Sequence, residues 1–330
     1  MSAKYDEALD LLKQFSKEEL ISLFNCAIEN AQITFDPVSV SACPHCGGTA
    51  LIRYGTKRGK QRFLCKDCER TFVTTTNTVM CMSHYNKQTW QEVLEDTLAG
   101  NAMSFTEKRL GLSHQAVFHM RHKILIAMQD VMNDEPTMLG DVCELDETYV
   151  LESYKGTKLA PGFGRKPRKH GAVAQKRGIS DEYICLCTGV QRGKEAYVKS
   201  VNRARPSREE LVSVFSGHVE EGALYLTDGL RGYDVLEDIT DCSVKNVETE
   251  KSSFYHLNTV NNLHSFIKDR YKFYRGVATK YINRYGALFS VAYRKTEEII
   301  DHLESLIFSV GMKSYTHGIL DVKCLSLLQI

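Results

Sequence analysis

Apolar residues along the chain change their spacing, and each change marks out a different kind of element. Between residues 5 and 32, Leu9, Leu12, Phe15, Leu20, Leu23 and Phe24 recur every three to four positions, which predicts an amphipathic helical stretch. Ser16 followed by Glu19 is a capping-box pattern that starts a helix there. The same helical period returns over residues 86–130, in KQTWQEVLEDTLAG, SFTEKRLGL and SHQAVFHMRHKILIAMQD. From about residue 140 the pattern shortens to strand-like runs: VCELDETYV, EYICLCTGVQ, EAYVKSV, GALYLTD and CSVKNV. Helical patterns interrupt them at SREELVSVFSGHV and follow them at HLNTVNNLHSFIKDRYKF. Strands with helices between them predict an α/β or α+β domain, set off from the earlier helices by the polar stretch near Asn133–Gly140. The expected division is a helical segment over 1–40, a cysteine-paired unit over 41–80, a helical unit over 81–135, the α/β domain over 136–310 and a tail over 311–330. No apolar run reaches the ~18 residues of a membrane span, and the acid-bearing first residues lack a signal-peptide core. The expected compartment is therefore the cytoplasm.

Four of the eleven cysteines form two pairs, Cys43 with Cys46 and Cys65 with Cys68, separated by 18 residues. Two such turns joined by a hairpin predict a tetrahedral four-thiolate zinc site, a zinc ribbon. The set leaves no open coordination position, so the ion is expected to be structural, its binding energy becoming folding energy. A redox role fits poorly, because it needs one such pair in a βαβ setting.

Net charge is only +1, but its distribution is uneven. Residues 153–180 hold eight Lys/Arg and no acid, and residues 264–295 hold eight against one. Such concentration in a nearly neutral chain points to local contact with a polyanion. Arg58, Lys60 and Arg62 in the basic hairpin between the cysteine pairs suit phosphate contact, as do Arg165, Lys166, Arg168 and Lys169 in the basic loop and Arg270 and Lys272 in the late helix. In SFTEKRLGLSHQAVFHMRHKILIAM a short helix, a glycine turn and a second helix capped by Ser113 match a helix-turn-helix. Gln115, His119, Arg121 and His122 are the expected groove-facing residues, with Val117, Phe118, Ile124 and Leu125 on the buried side.

Three separated segments offer a divalent-metal site. Asp146 lies in the first strand run, where alternation puts Glu144 on its face and Glu147 on the other. Asp228 ends the run ALYLTD, before a glycine that permits a sharp exit. Asn261 and Lys268, two turns apart on the late helix, share a face with His264 and Ser265. Two aspartates and an amide oxygen suit magnesium, which keeps several waters.

On these stretches (CPHCGG…GKQRFLCKDCERTF, CELDETYV, LYLTDGLRGY and HLNTVNNLHSFIKDRYKFYRGVATKYINRYGALF) the chain resembles bacterial insertion-sequence transposases of the DDE superfamily. The group is the ISXO2-like one, with a four-cysteine ribbon and an Asp-Asp-Asn-Lys catalytic set. The resemblance implies a ribonuclease H-like catalytic domain, a mixed sheet flanked by helices. It implies Asp146, Asp228 and Asn261 as ligands of two Mg2+ or Mn2+ ions, with Lys268 as the accompanying lysine. It further implies double-stranded DNA as partner, binding at terminal inverted repeats, strand transfer by a 3′-hydroxyl, and a dimer or higher oligomer on nucleoid DNA. Relatives with Glu at the third position make Asn261 the main departure; Glu147 and Glu144 are the candidates for a compensating carboxylate, and alternation favours Glu144. A catalytically inactive DNA-binding protein and a nuclease without strand transfer are the alternatives on the same fold.

Overall fold

The structure is a computed structural model and describes residues 15–17, 19–22, 40–57, 59–156, 173–193, 195–229, 232–249, 253–274, 277–294 and 296–318. Two compact units divide at Ser41 and Ala42. In the first, Ser16 and Glu19 form the reciprocal cap: the Glu19 amide donates to Ser16 Oγ at 3.2 Å and the Ser16 amide to Glu19 Oε2 at 2.8 Å.

The second unit begins with a three-stranded antiparallel sheet, β1 (Leu51–Lys57), β2 (Lys60–Cys65) and β3 (Thr71–Val73). Its core is small, with Phe63 stacked on Phe72 at 5.6 Å. Asn77 joins this sheet to the end of the unit, its Nδ2 donating to the carbonyls of Pro44 at 3.2 Å and Gly311 at 3.0 Å. Three helices follow: α1 (Lys87–Ala99), α2 (Met103–Leu110) and α3 (His114–Asp134). Asn86 caps α1 and Ser113 caps α3 through their side-chain oxygens. The chain turns between α2 and α3 at Gly111, whose φ of 64° suits glycine.

Residues 142–246 build a five-stranded mixed sheet in the order β6-β5-β4-β7-β8, from β4 (Val142–Leu151), β5 (Tyr183–Gln191), β6 (Ala196–Arg203), β7 (Leu224–Thr227) and β8 (Ser243–Asn246). β4 and β5 pair antiparallel, as do β5 and β6, while β4, β7 and β8 run parallel. β5 is buried on both faces between two cores, which is why it reads as an almost unbroken apolar run. On one face Val150, Leu186 and Val198 pack with α3, α6 (Asn258–Phe273) and α7 (Ile282–Tyr293). On the other, Leu145, Cys187 and Tyr197 pack with α4 (Arg208–Phe215) and the short α5 (Val235–Ile239). A last helix, α8 (Glu297–Phe308), covers α3 with Leu303 and Ile307. Among the described residues no helix is long and apolar enough to cross a membrane.

Glu144 fastens α6 to the sheet. Its carboxylate is wholly buried and accepts from the amides of Thr259 at 2.7 Å and Val260 at 3.0 Å, from Thr259 Oγ1 at 2.9 Å and from Arg192 Nε at 2.7 Å. An anion at unpaired helix amides is favoured by the helix dipole. Glu144 is therefore consumed as a cap, and the expectation that it supplies a metal-binding carboxylate is wrong.

Replacing Glu144 with Ala strands two buried amides and Arg192. We expect a loss of about 3 kcal/mol in urea denaturation; a change below about 1 kcal/mol would show that α6 is held by packing alone.

Candidate active site

β7 is much shorter than β4. Their pairing ends at Leu145 opposite Thr227, so the flank of β4 beyond that point is open on the β7 side. Asp228 directly follows β7 there, at the carboxyl ends of two parallel strands, where open α/β sheets place their ligands. Asp146 and Glu147 leave β4 toward opposite faces, as strand alternation requires. Both reach round the open flank, so that one carboxylate oxygen each from Asp146, Glu147 and Asp228 lie within 4.8 Å of one another.

Burial raises the Asp146 carboxyl to about 6, and Asp228 adds to that; the Glu147 amide, which donates to Asp146 Oδ1 at 2.8 Å, and Lys268 oppose it. Glu147 is pushed up to about 7, again mainly by burial, against the hydrogen bond it accepts from Tyr233 Oη at 2.5 Å. Two acids raised by burial, with a third carboxylate beside them, form a donor set of the kind that suits a divalent cation.

α6 supplies the opposite wall. His264 is buried with Nε2 at 2.8 Å from Thr188 Oγ1 and Nδ1 at 3.7 Å from Asp146 Oδ2. The Thr188 hydroxyl donates to the Asp146 carbonyl at 2.7 Å, so the imidazole is assigned as donor through Nε2. Burial, with Lys268 nearby, pushes His264 down to about 4 and keeps it neutral. Asn261 and Lys268 lie exposed on the same helix, and the Lys268 charge is felt at Asp146. Sequence reasoning ranked Glu147 behind Glu144, because the length of the neighbouring strand is not visible in β4, and the structure places Glu147 in the carboxylate group.

Cys43, Cys46, Cys65 and Cys68 also converge, their Sγ atoms lying within 4.8 Å of one another. Cys43 and Cys68, and likewise Cys46 and Cys65, are 3.7 Å apart. Tetrahedral zinc with arms of about 2.3 Å requires sulfur separations of about 3.8 Å, so the donor set and its spacing fit that ion.

The cationic residues singled out above divide sharply. Arg62 is half-buried over the Tyr54 ring, its Nε donating to the Tyr54 carbonyl at 3.0 Å. Lys60 is less available than expected: its Nζ bonds the Ser83 carbonyl at 3.2 Å and contacts Thr75 Oγ1 at 3.5 Å. Gln115 and Lys272 are exposed, and His119 is half-buried beside Phe118. Arg270 lies over Phe266 and bonds the Ala99 carbonyl, closing the end of α1. Arg121 and His122 contradict the groove-facing expectation, each being only 2% exposed. The face of α3 that carries them is turned inward against α7 and the residues before it. Arg58, Arg165, Lys166, Arg168 and Lys169 lie outside the described residues.

Residues 138–296 match the family model described as the ISXO2-like transposase domain. An uncharacterized protein in transposable element ISH50 of Halobacterium salinarum is 27% identical over 257 residues, covering 76% of this chain and 84% of that protein. Among solved structures, the Mos1 strand transfer complex overlaps 67% of this chain and 75% of its own, at 13% identity and a TM-score of 0.28. The Mos1 mariner paired-end complex with Mn overlaps 69% and 80%, at 12% identity and a TM-score of 0.26.

If the carboxylates repel one another as their geometry implies, Asp146→Asn stabilises chelator-treated protein at pH 8, by on the order of 1 kcal/mol. A melting temperature below that of the wild type would mean that the acids do not oppose one another.

Proposed function

Because residues 138–296 form an insertion-sequence transposase domain of the ISXO2-like kind, we propose that the chain is a DNA transposase of the ribonuclease H-like, metal-dependent type. It binds the terminal inverted repeats of its element, cleaves phosphodiesters with water to free a 3′-hydroxyl, and joins that 3′-hydroxyl to a target phosphodiester phosphorus as the target's own 3′-oxygen leaves. One observation carries the reading: Asp146 and Glu147 from the middle of β4 converge with Asp228 at the carboxyl end of the parallel strand β7 within that domain.

Three clustered carboxylates alone would repel a phosphodiester, so cationic charge has to come between them. A pair of Mg2+ or Mn2+ ions, when bound, supplies activation of the attacking oxygen and charge stabilisation at the leaving one. Asp146 and Asp228 hold that charge, and Glu147 replaces the negative charge missing from the Asn261 amide. Asn261 contributes a neutral oxygen from α6. Lys268, on the same face of the helix, engages a phosphate oxygen of the DNA. His264 is a positioning residue: neutral and tied to Thr188, it keeps the wall beside Asp146 without adding positive charge.

Zinc held by Cys43, Cys46, Cys65 and Cys68 is structural in this reading and fixes the ribbon beside the helical unit. Exposed Gln115 and Lys272, with Arg62 at the hairpin, contact the duplex. Synapsis of two ends calls for a dimer or larger assembly on DNA, acting in the cytoplasm on nucleoid DNA.

Labelled repeat ends incubated with Mn2+ and a plasmid target separate the possibilities, since joined products, nicks alone and a mobility shift alone are distinct on a gel. Asp146→Asn and Asp228→Asn are expected to lower both cleavage and joining to background while end binding persists; cleavage retained in either would falsify the assignment. Glu147→Gln should weaken Mn2+ affinity about 10- to 100-fold, and an unchanged Mn2+ titration would remove Glu147 from the site. Native mass spectrometry is expected to find zinc bound to the wild type and lost from Cys65→Ser; equal zinc in both would remove Cys65 from the ligand set.

A further inference from the structure

A second cavity, of about 930 Å³, opens between α2, α3 and the segment around Tyr281. Its volume lies at the upper end of the ~300–1,000 Å³ typical of small-molecule sites. Phe118, Tyr274, Tyr281 and Tyr285 line it together with Arg121, Lys155 and Lys280. Glu107 is an acid in the lining, and it pairs with His114 at 2.6 Å. Tyr274 follows Asn261 on α6 by thirteen residues, so the cavity lies roughly 20 Å along that helix from the carboxylate site.

Arg121 is the unusual member. It is 2% exposed, and among the described residues neither its Nε nor its Nη2 has a hydrogen-bond partner. A buried guanidinium is ordinarily paired with a carboxylate, so an unpaired one calls for an explanation. The neighbouring charges make the case stronger. Arg284 Nη1 lies 3.3 Å from His122 Nδ1, and burial together with Arg284 and Arg121 pushes His122 down to about 3. His122 therefore adds no negative partner. The rim lysines are positive too, and Lys280 stands 5.0 Å from the Tyr281 ring centroid. A cavity with surplus positive charge and aromatic walls has the chemistry of nucleotide capture, cations for the phosphate and ring faces for the base.

We propose that this cavity binds one unpaired nucleotide, its phosphate taken by Arg121 and Lys280 and its base laid against the tyrosine rings. The transposase reading above supplies only the source of that nucleotide, a DNA strand distorted near the cleavage site. The binding itself stands on the cavity.

Calorimetric titration of the full-length, zinc-loaded protein with deoxyadenosine 5′-monophosphate tests it, with deoxyadenosine and inorganic phosphate as controls. Saturable binding of the monophosphate is expected, with each control at least about tenfold weaker. Arg121→Met should abolish it and, by removing an unpaired buried charge, raise the melting temperature of the nucleotide-free protein. Lys280→Glu keeps Arg121 in place and should weaken binding about tenfold, which decides the matter if Arg121→Met does not fold. Asp146→Asn should bind the monophosphate like wild type, so an inactive transposase and an empty cavity give different results. Three outcomes would overturn the proposal: no binding at millimolar nucleotide, undiminished binding by both cavity variants, or phosphate binding as tightly as the nucleotide.

Discussion

One buried carboxylate sets where everything else can stand. Glu144 meets the unpaired amides at the start of α6 and so fixes the helix along its own axis against β4. A slip of α6 by one residue would rotate it by about 100° and carry His264 and Lys268 off the face that looks toward Asp146. The contact is also the best satisfied buried charge in the site, with amides, a hydroxyl and Arg192 all donating to it. Such a charge adds little net stability compared with an apolar pair, but it allows one register and penalises the others.

Beside that anion stand three more carboxylates, which crowd one another. Asp146, Glu147 and Asp228 are brought together by the backbone, through a long strand beside a short one, and the Lys268 charge offsets only part of their crowding at Asp146. The fold tolerates this because the rest of the sheet is over-determined: β4 stays paired with β5 from Cys143 to Leu151, well past the point where β7 stops. Stability taken from that ladder and from the two flanking cores offsets the local repulsion, as is common where a protein must be ready for a ligand it does not yet hold.

Much of this was legible in the sequence. All five strand-like runs became strands of the central sheet, because each carries an apolar period that a helix would waste. The cysteine pairs announced their cluster by spacing alone, and Asp146 and Asp228 stood out at strand positions. The failures have physical causes. Alternation placed Glu144 and Asp146 on one face correctly, but it could not reveal that α6 would consume Glu144, nor that Glu147 would reach the site from the other face. The helix-turn-helix reading put Arg121 and His122 outward because nothing in α3 foretold α7 packing over them. α7 itself carried no clear stripe, being buried almost all round and interrupted by Gly286. That glycine reads as a breaker, yet a Cβ there would meet the Val198 carbonyl oxygen at 2.7 Å, so it is what lets the helix lie against β6.

The charges left over by folding thus fall in two places of opposite sign, both bordered by α6. Near its start are carboxylates that exclude phosphate until cations intervene; near its end is Arg121, in a wall of tyrosines and lysines. A DNA strand meets both signs if it runs along the helix. At about 3.4 Å per base pair the two sites are separated by roughly six pairs of duplex, which on the proposed function is the span between cleavage and capture of a strand. Cationic capture at one end resists the repulsion at the other, and α6, pinned by Glu144, keeps the distance between them constant.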